Sequence, residues 1–456
     1  MPQSINPATG EALRDFPYLT DSEIETALTH ASRDAPDWGA RTCAERAVPM
    51  RAAATLLRRE KAALARTITL EMGKPITEAE AEIDKAAWNC EHVADQAEGW
   101  LADDIVETSA SLSYVSHLPL GTVLSVLPWN FPVWQIFRSA VSLLVAGNTV
   151  LMKHAPNVPE CAERVTDLMR RAGFPRGVFQ NLLIPVDRIA RVIADPRVAA
   201  VTLTGSPAAG AAVAAQAGAA CKKSLLELGG SDAFIVLDDA DLDAAVNAAV
   251  KARFANCGQV CLAAKRFIVT PGIAAAFEEQ LAEQAARLRV GDPLDRATQL
   301  GPMAREDLRQ ALHRQVQQSL ASGARVLTGG TPRAGAGFYY FPTVLAGVTA
   351  EMPVATEETF GPVAAILRAR DEQHALALAN ASRYGLSCCL WTRDIDRARA
   401  LARRIATGGV FINSVSASDP RMPVGGVKLS GYGRELGRAG MREMVNLQSV
   451  WIGSPR

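Results

Sequence analysis

The sequence predicts two α/β domains joined by short crossings, with extended ribbons outside both cores. Three observations carry this. A chain of 456 residues is too long for one ordinary hydrophobic core. Two separate series of short apolar runs alternate with helical stretches, the signature of parallel sheets with covering helices. Two further segments, "SLSYVSHLPLG" and "MVNLQSVWIGS", read as extended chain that belongs to neither series.

The elements follow in order. Residues 21–104 read as helices: "DSEIETALTHASRDAPDW" opens with Asp21 and Ser22 as caps. "RAAATLLRREKAALARTITLEMGKP" is dense in helix formers, and Gly73 then Pro75 end that helix. From Gly121 the first α/β series runs through "GTVLSVLPW", "TVLMKHA", "VFQNLLI", "AAVTLTGS" and "SLLELGG". The second starts near Asp232 with "AFIVLDD" and continues through "RFIVT", "VAAILRAR", "SCCLWTRD" and "GVFINS". There is no internal repeat, low-complexity segment or flexible linker.

Composition excludes several function classes. Apolar residues make up 48% and charged residues 21%, the balance of a soluble globular protein. Lys plus Arg equals Asp plus Glu, so the formal net charge is zero, and no basic block carries interleaved aromatics. Nucleic acid is therefore not expected as a partner. No apolar run approaches a membrane span. The start, "MPQSINPATGEALRDF", lacks a charged n-region and an apolar h-region, so the expected location is cytoplasmic. The eight cysteines are scattered, as reduced thiols would be, and none forms a CxxC pair or sits with histidines at zinc spacing. No metal is expected.

Four stretches carry polar or special residues beside apolar runs. "NCGQVC" holds Cys257 and Cys261; two small core fillers would explain the cysteines, but Asn256, Gly258 and Gln259 suit a tight polar turn presenting a thiol. "LLELGG" puts Glu227 at a strand end before two glycines, as a general base or a solvated loop carboxylate. "PWNFP" brackets Trp129, Asn130 and Phe131 between prolines, so that Asn130 is either a fixed amide donor to an oxyanion or part of a stiff packed loop. "TLTGSPAAG" gives Gly205, an N-cap at Ser206 and Pro207 at the first helical position. Its glycine spacing imitates a P-loop, but Ala211 and Ala212 stand where Lys and Ser/Thr are needed. A helix start facing a diphosphate remains open. No GxGxxG fingerprint occurs.

Read together, Asn130 in "PWNFP", Lys153 in "LMKHAPN", Ser206 in "TGS", Glu227 in "LELGG", Cys261 in "GQVC" and Glu358 in "EETFGPV" closely resemble the aldehyde dehydrogenase superfamily. The resemblance extends from "INPATGE" to "GGVKLSGYGRE", nearly the whole chain. It implies an aldehyde dehydrogenase-like α/β fold: a cofactor-binding domain over 1–110 and 121–227, and a catalytic domain over 228–424. An oligomerisation ribbon and C-terminal tail would take 111–120 and 425–456. Because an unpaired edge strand is usually covered, a homodimer or homotetramer is expected.

The resemblance further implies that Cys261 is the nucleophile, with the oxyanion held by the Asn130 side-chain amide and the Cys261 N–H. Glu227 would activate the water that hydrolyses the thioester. Lys153 and Glu358 look like the residues that hold the two riboses of NAD or NADP. Phe360 would pack near the nicotinamide, Trp129 would line the channel, and Gly205 and Ser206 would face the cofactor. Within the superfamily the chain is most similar to bacterial succinate-semialdehyde dehydrogenases, through "PWNFPVWQIFR", "KHAPN" and "SASDPRMPVGGVKLSGYGRE". Arg138 matches an arginine that binds the substrate's distal carboxylate there, and Ser418 and Arg421 are candidates for completing the anchor. Two departures matter. Ala255 stands where many members carry another arginine, and Pro156 stands where many NAD-preferring members carry a glutamate. Proline neither binds the ribose nor repels a 2′-phosphate, so both cofactors are expected to serve. A CoA-acylating relative would have no use for Glu227, and a cofactor-free cysteine hydrolase would have none for Lys153 or "EETFGP".

Overall fold

The computed structural model describes residues 1–453; the last three positions of the expected tail, 454–456, lie outside the described residues. The first domain is built on a six-stranded sheet. Its strands run in the order Gly431–Tyr432, Lys223–Glu227, Val198–Thr204, Thr122–Val126, Thr149–Lys153 and Phe179–Asn181. All but the first are parallel. From Thr122–Val126 the chain winds outward in one direction, then returns to lay Val198–Thr204 on the other side. The loops after these two strands diverge, and the crevice between them, at the carboxyl ends, is where α/β sheets bind ligands.

The strand Gly431–Tyr432 corrects the expectation that 425–456 is ribbon and tail. It pairs antiparallel with Lys223–Glu227, placing Gly431 opposite Glu227. Gly431 sits at φ +107°, and any Cβ there would run into the Leu226 carbonyl, so the approach requires glycine. Leu436, Met441 and Met444 then bury themselves in the first domain's core. Edge pairing and apolar burial thus draw this stretch back to the first sheet, and only Val445–Ile452 is left for the ribbon. That strand pairs antiparallel with Leu112–Pro119 in continuous register, with Val445 opposite Pro119 and Ile452 opposite Leu112. Leu447, Trp451 and Ile452 are exposed on it.

The second domain carries a seven-stranded sheet. Its parallel strands are Thr343–Ala346, Val363–Arg368, Ala264–Val269, Asp232–Val236, Ser387–Trp391 and Gly409–Ile412, with Arg325–Thr328 antiparallel at one edge. A separate hydrophobic core fills it.

The long helix Ile76–Leu101 fixes the loop that carries Asn130. Glu82, one face inward, accepts the N–H groups of Val133 and Trp134 at 2.8 and 2.9 Å. These are donors at a helix start with no intrahelical partner, which a carboxylate satisfies. Lys74 is in ion-pair contact with Glu82 and stands 3.6 Å from the Phe131 ring centroid. Asn89, further along the same face, donates to the Phe137 carbonyl at 3.1 Å. Among the described residues, no helix is long and apolar enough to cross a membrane.

Candidate active site

A cavity of about 570 Å³ opens at the crevice between the diverging strands and is closed on its far side by loops of the second domain. It brings together Trp129, Asn130, Lys153, Pro156, Gly205, Ser206, Glu227, Cys261, Glu358 and Phe360. Arg138, Ser418 and Arg421 are not among its walls.

The turn before Cys261 is an unusual piece of backbone. Asn256, Cys257 and Gly258 take φ of +50°, +55° and +71° in succession. Left-handed conformations cost a non-glycine residue roughly 1–2 kcal/mol each, so the surroundings must impose them. The Asn256 N–H donates to Glu78 at 2.7 Å, and its side-chain amide donates to the Asn130 carbonyl at 2.7 Å. Arg253, fully buried, donates to the carbonyls of Gly258, Gly361 and Ala264 at 2.6, 2.8 and 3.1 Å. Lys265 donates to the carbonyls of Cys261 and Val260 at 2.6 and 3.0 Å. Cys257 points into the second core, where burial pushes its thiol well up.

Cys261 instead faces the cavity. Burial pushes its thiol up to about 11, with the charges of Arg138 and Lys265 pulling the other way. Two donors stand ready beside it. Among the described residues the Cys261 N–H has no hydrogen-bond partner. The Asn130 amide gives one N–H to the Gln259 carbonyl at 2.9 Å and keeps its second.

Glu227 ends its strand buried, with Arg138 hydrogen-bonded to Oε2 and Oε1 left without a partner. Arg138 is also in ion-pair contact with Glu435, which the return segment after Gly431–Tyr432 delivers. Burial raises Glu227 to about 7, Arg138 opposes this, and Glu435 adds to it.

The three residues expected to anchor a carboxylate lie outside the cavity walls. Arg138 is 2% exposed and in ion-pair contact with both Glu227 and Glu435. Arg421 lies at the surface, paired with Asp419 at 2.7 Å and resting over the Trp88 ring. Ser418 is buried, and its hydroxyl accepts from Lys85 at 2.7 Å.

The rest of the cavity fits a dinucleotide. Lys153 is 6% exposed, its ammonium has no ion pair or hydrogen bond among the described residues, and burial alone lowers it. A buried ammonium without a partner is costly, and a ribose hydroxyl or phosphate would relieve it. Ser206 caps the helix Pro207–Ala219, accepting from Ala209 N–H at 3.3 Å, so a helix N-terminus faces the same space. Glu358 is held by Lys265 at 3.3 Å and by the Gly230 N–H at 3.1 Å. Gly229 passes so close to Glu358 that no Cβ would fit between them. Trp129 and Phe360 meet edge to face at 5.7 Å, an apolar wall for a flat ring. Pro156 is exposed at the cavity rim.

Sequence reasoning missed Arg253, Lys265, Glu435 and Lys85. Only Lys265 left a signal, as one of two adjacent charges, with Arg266, inside the fully buried strand Ala264–Val269.

Comparison with known proteins agrees with this geometry. The family model described as "Aldehyde dehydrogenase family" matches residues 2–450. The succinate semialdehyde dehydrogenase [NAD(P)+] of Escherichia coli (strain K12) is 51% identical over 448 residues, covering 98% of this chain and 97% of the relative. The succinate-semialdehyde dehydrogenase [NADP(+)] 1 of Mycobacterium ulcerans (strain Agy99) is 46% identical, covering 99% of both chains. The crystal structure of succinic semialdehyde dehydrogenase from Streptococcus pyogenes in complex with NADP+ superposes with a TM-score of 0.97 at 37% identity, covering 100% of both chains. With residues 2–450 matched by one family model and the fold reproduced from end to end, the protein is a member of the aldehyde dehydrogenase family.

Proposed function

We propose that this protein oxidises succinate semialdehyde to the dicarboxylate, using NAD or NADP, through a thioester on Cys261. The observation that carries the reading is the meeting, in one cavity, of a thiol with an unpartnered N–H and a buried carboxylate with an unpartnered oxygen. The substrate class follows the two relatives whose names specify it. Attack of the Cys261 sulfur on the aldehyde carbon leaves an oxyanion between the Cys261 N–H and the second Asn130 N–H. Bound at Lys153, Ser206 and Glu358, the oxidised nicotinamide dinucleotide supplies a hydride acceptor. Once hydride has left the carbon, the acyl group remains on sulfur as a thioester. Glu227 then takes a proton from water through its free Oε1, the water oxygen adds to the thioester carbon, and the Cys261 thiolate leaves. The exposed apolar ribbon of Leu112–Pro119 and Val445–Ile452 suits burial against a second copy, which makes the working form a homo-oligomer. Unpaired cysteines throughout the described chain are in keeping with a cytoplasmic location.

The test is a pair of variants. Cys261→Ala should abolish oxidation, while Glu227→Gln should reduce about one cofactor per site and then stall. Substantial turnover by Cys261→Ala, or steady wild-type turnover by Glu227→Gln without a burst, would remove these roles.

A further inference from the structure

The cavity wall contains one buried amide that the steps above leave unused. Gln135 is the second residue of the helix Trp134–Val145 and lines the same cavity as Asn130, Glu227 and Cys261. Its backbone N–H donates to the Phe131 carbonyl at 2.9 Å, which fixes it about one turn after the Asn130 loop. The side chain is 2% exposed, yet it forms no hydrogen bond among the described residues, and its Oε1 is enclosed without a partner. A carboxamide in that state has lost its hydration and gained nothing in return, so the contents of the cavity have to satisfy it.

The position on the helix indicates which contents. Residues three apart share a helix face, and three on from Gln135 stands Arg138, whose guanidinium is hydrogen-bonded to Glu227 Oε2. Helical side chains lean toward the start of their helix, so Gln135 reaches from that face back over the turn that carries Asn130. It thus lies between the base and the oxyanion donor, beside the path of the water that attacks the thioester. That water has two hydrogens. Glu227 Oε1, which has no partner, takes one. The other needs an acceptor as well, because a water free to swing seldom aims its lone pair at the acyl carbon. Backbone oxygens around the site are already engaged: that of Cys261 by Lys265, of Asn130 by Asn256, and of Gly229 by Ser430. Gln135 Oε1 is unclaimed.

We infer that the side-chain carbonyl of Gln135 is the second acceptor for the hydrolytic water and sets its orientation toward the Cys261 thioester. This rests on the thioester and base roles read above. One water proton passes to Glu227 Oε1 while the oxygen lone pair bonds to the acyl carbon. The sulfur then leaves with its bonding pair as the Cys261 thiolate. The second hydrogen, held by Gln135, stays on the oxygen and departs with the carboxylic acid.

The experiment uses the full-length enzyme and Gln135→Met, which keeps the length of the side chain and removes the acceptor. With succinate semialdehyde and NADP, the burst of about one reduced cofactor per site should persist, and the steady phase should slow about ten- to thirtyfold. KM should fall with kcat, leaving kcat/KM within about threefold of wild type, and the pH midpoint of the steady phase should not move. A cofactor-free readout is p-nitrophenyl acetate, which acylates the thiol directly: nitrophenol should appear in a fast burst of about one equivalent, followed by turnover slowed by a similar factor. Hydroxylamine, which attacks a thioester with its own nitrogen, should restore the steady rate to within about threefold of wild type with hydroxylamine. Gln135→Leu should behave alike and decides should Gln135→Met fail to fold. An unchanged steady phase, loss of the burst, a fall in kcat/KM at unchanged kcat, or no rescue by hydroxylamine would overturn the inference. Steady turnover without a burst in Glu227→Gln would instead remove the base reading itself, whatever the Gln135 variants do.

Discussion

Replacing Arg138 with methionine should slow the first half of the reaction, because Cys261 loses a favourable charge, and disable the second in a way that alkali repairs. Glu227 is raised to about 7 by burial even with the Arg138 guanidinium bonded to it. A charge-assisted hydrogen bond is worth roughly 1.5–3 kcal/mol, and each pKa unit about 1.36 kcal/mol. Loss of the arginine therefore lifts Glu227 by about one to two units, with Glu435 pushing the same way. The sign is fixed: a base must be ionised to work, so raising its pKa removes activity at neutral pH and returns it at higher pH. At pH 7.5 the ionised fraction of Glu227 should therefore fall. Near pH 10 the two proteins should converge. The assay is a stopped-flow record of cofactor reduction from pH 6.5 to 10. Arg138→Met should keep a burst of about one equivalent per site, with a slow steady phase whose pH midpoint has moved upward. Glu227→Gln should show the same burst with no recovery in alkali. A uniform loss of rate with an unmoved midpoint, or loss of the burst, would refute the charge argument. Stability should fall by about 3–5 kcal/mol in denaturant titration, because two buried carboxylates lose their shared cation.

Three other outcomes are expected. Cys257→Ala should retain most turnover under reducing conditions and lose only about 1 kcal/mol in denaturant titration, since its thiol packs in the second core rather than facing the cavity. Pro156→Glu should shift the ratio of kcat/KM for NAD over NADP upward by about ten- to a hundredfold, because a carboxylate at the cavity rim would oppose a 2′-phosphate; an unmoved ratio would show that the rim does not meet that phosphate. Gly258→Ala should cost at least about 2 kcal/mol and most of the activity, since φ is +71° and the Gly361 carbonyl occupies the space a Cβ would need.

Much of the cavity was legible because its residues are local events. Asn130, Lys153, Gly205 and Glu227 each follow or end a strand, where a polar residue or glycine breaks an apolar run. The groups that set their charge were not legible, because they depend on contacts between distant parts of the chain. Arg138 reaches a glutamate 89 positions away, and Lys85 a serine 333 positions away. Nothing in "IFRSA" shows that two carboxylates contact this arginine. The sixth strand escaped notice for a similar reason. Two residues in "SGYGRE" carry no strand signal of their own, and their conformation is set by the open edge beside Leu226 and Glu227.

That short return strand joins two duties in one stretch of backbone. Gly431–Tyr432 seals the sheet edge, tethered by the contact between Tyr432 and Ser224 at 2.6 Å, and the turn beyond it carries Glu435 to Arg138. A fluctuation that peels this segment away bares backbone donors and acceptors to other molecules and, in the same event, strips a charge from beside the base. Exposure of the sheet edge and loss of Glu435 from beside the base would thus be one local opening. During synthesis the same wiring leaves the water-activating half of the machinery unassembled until residue 435 has left the ribosome, so a partly made chain holds a thiol but no tuned base.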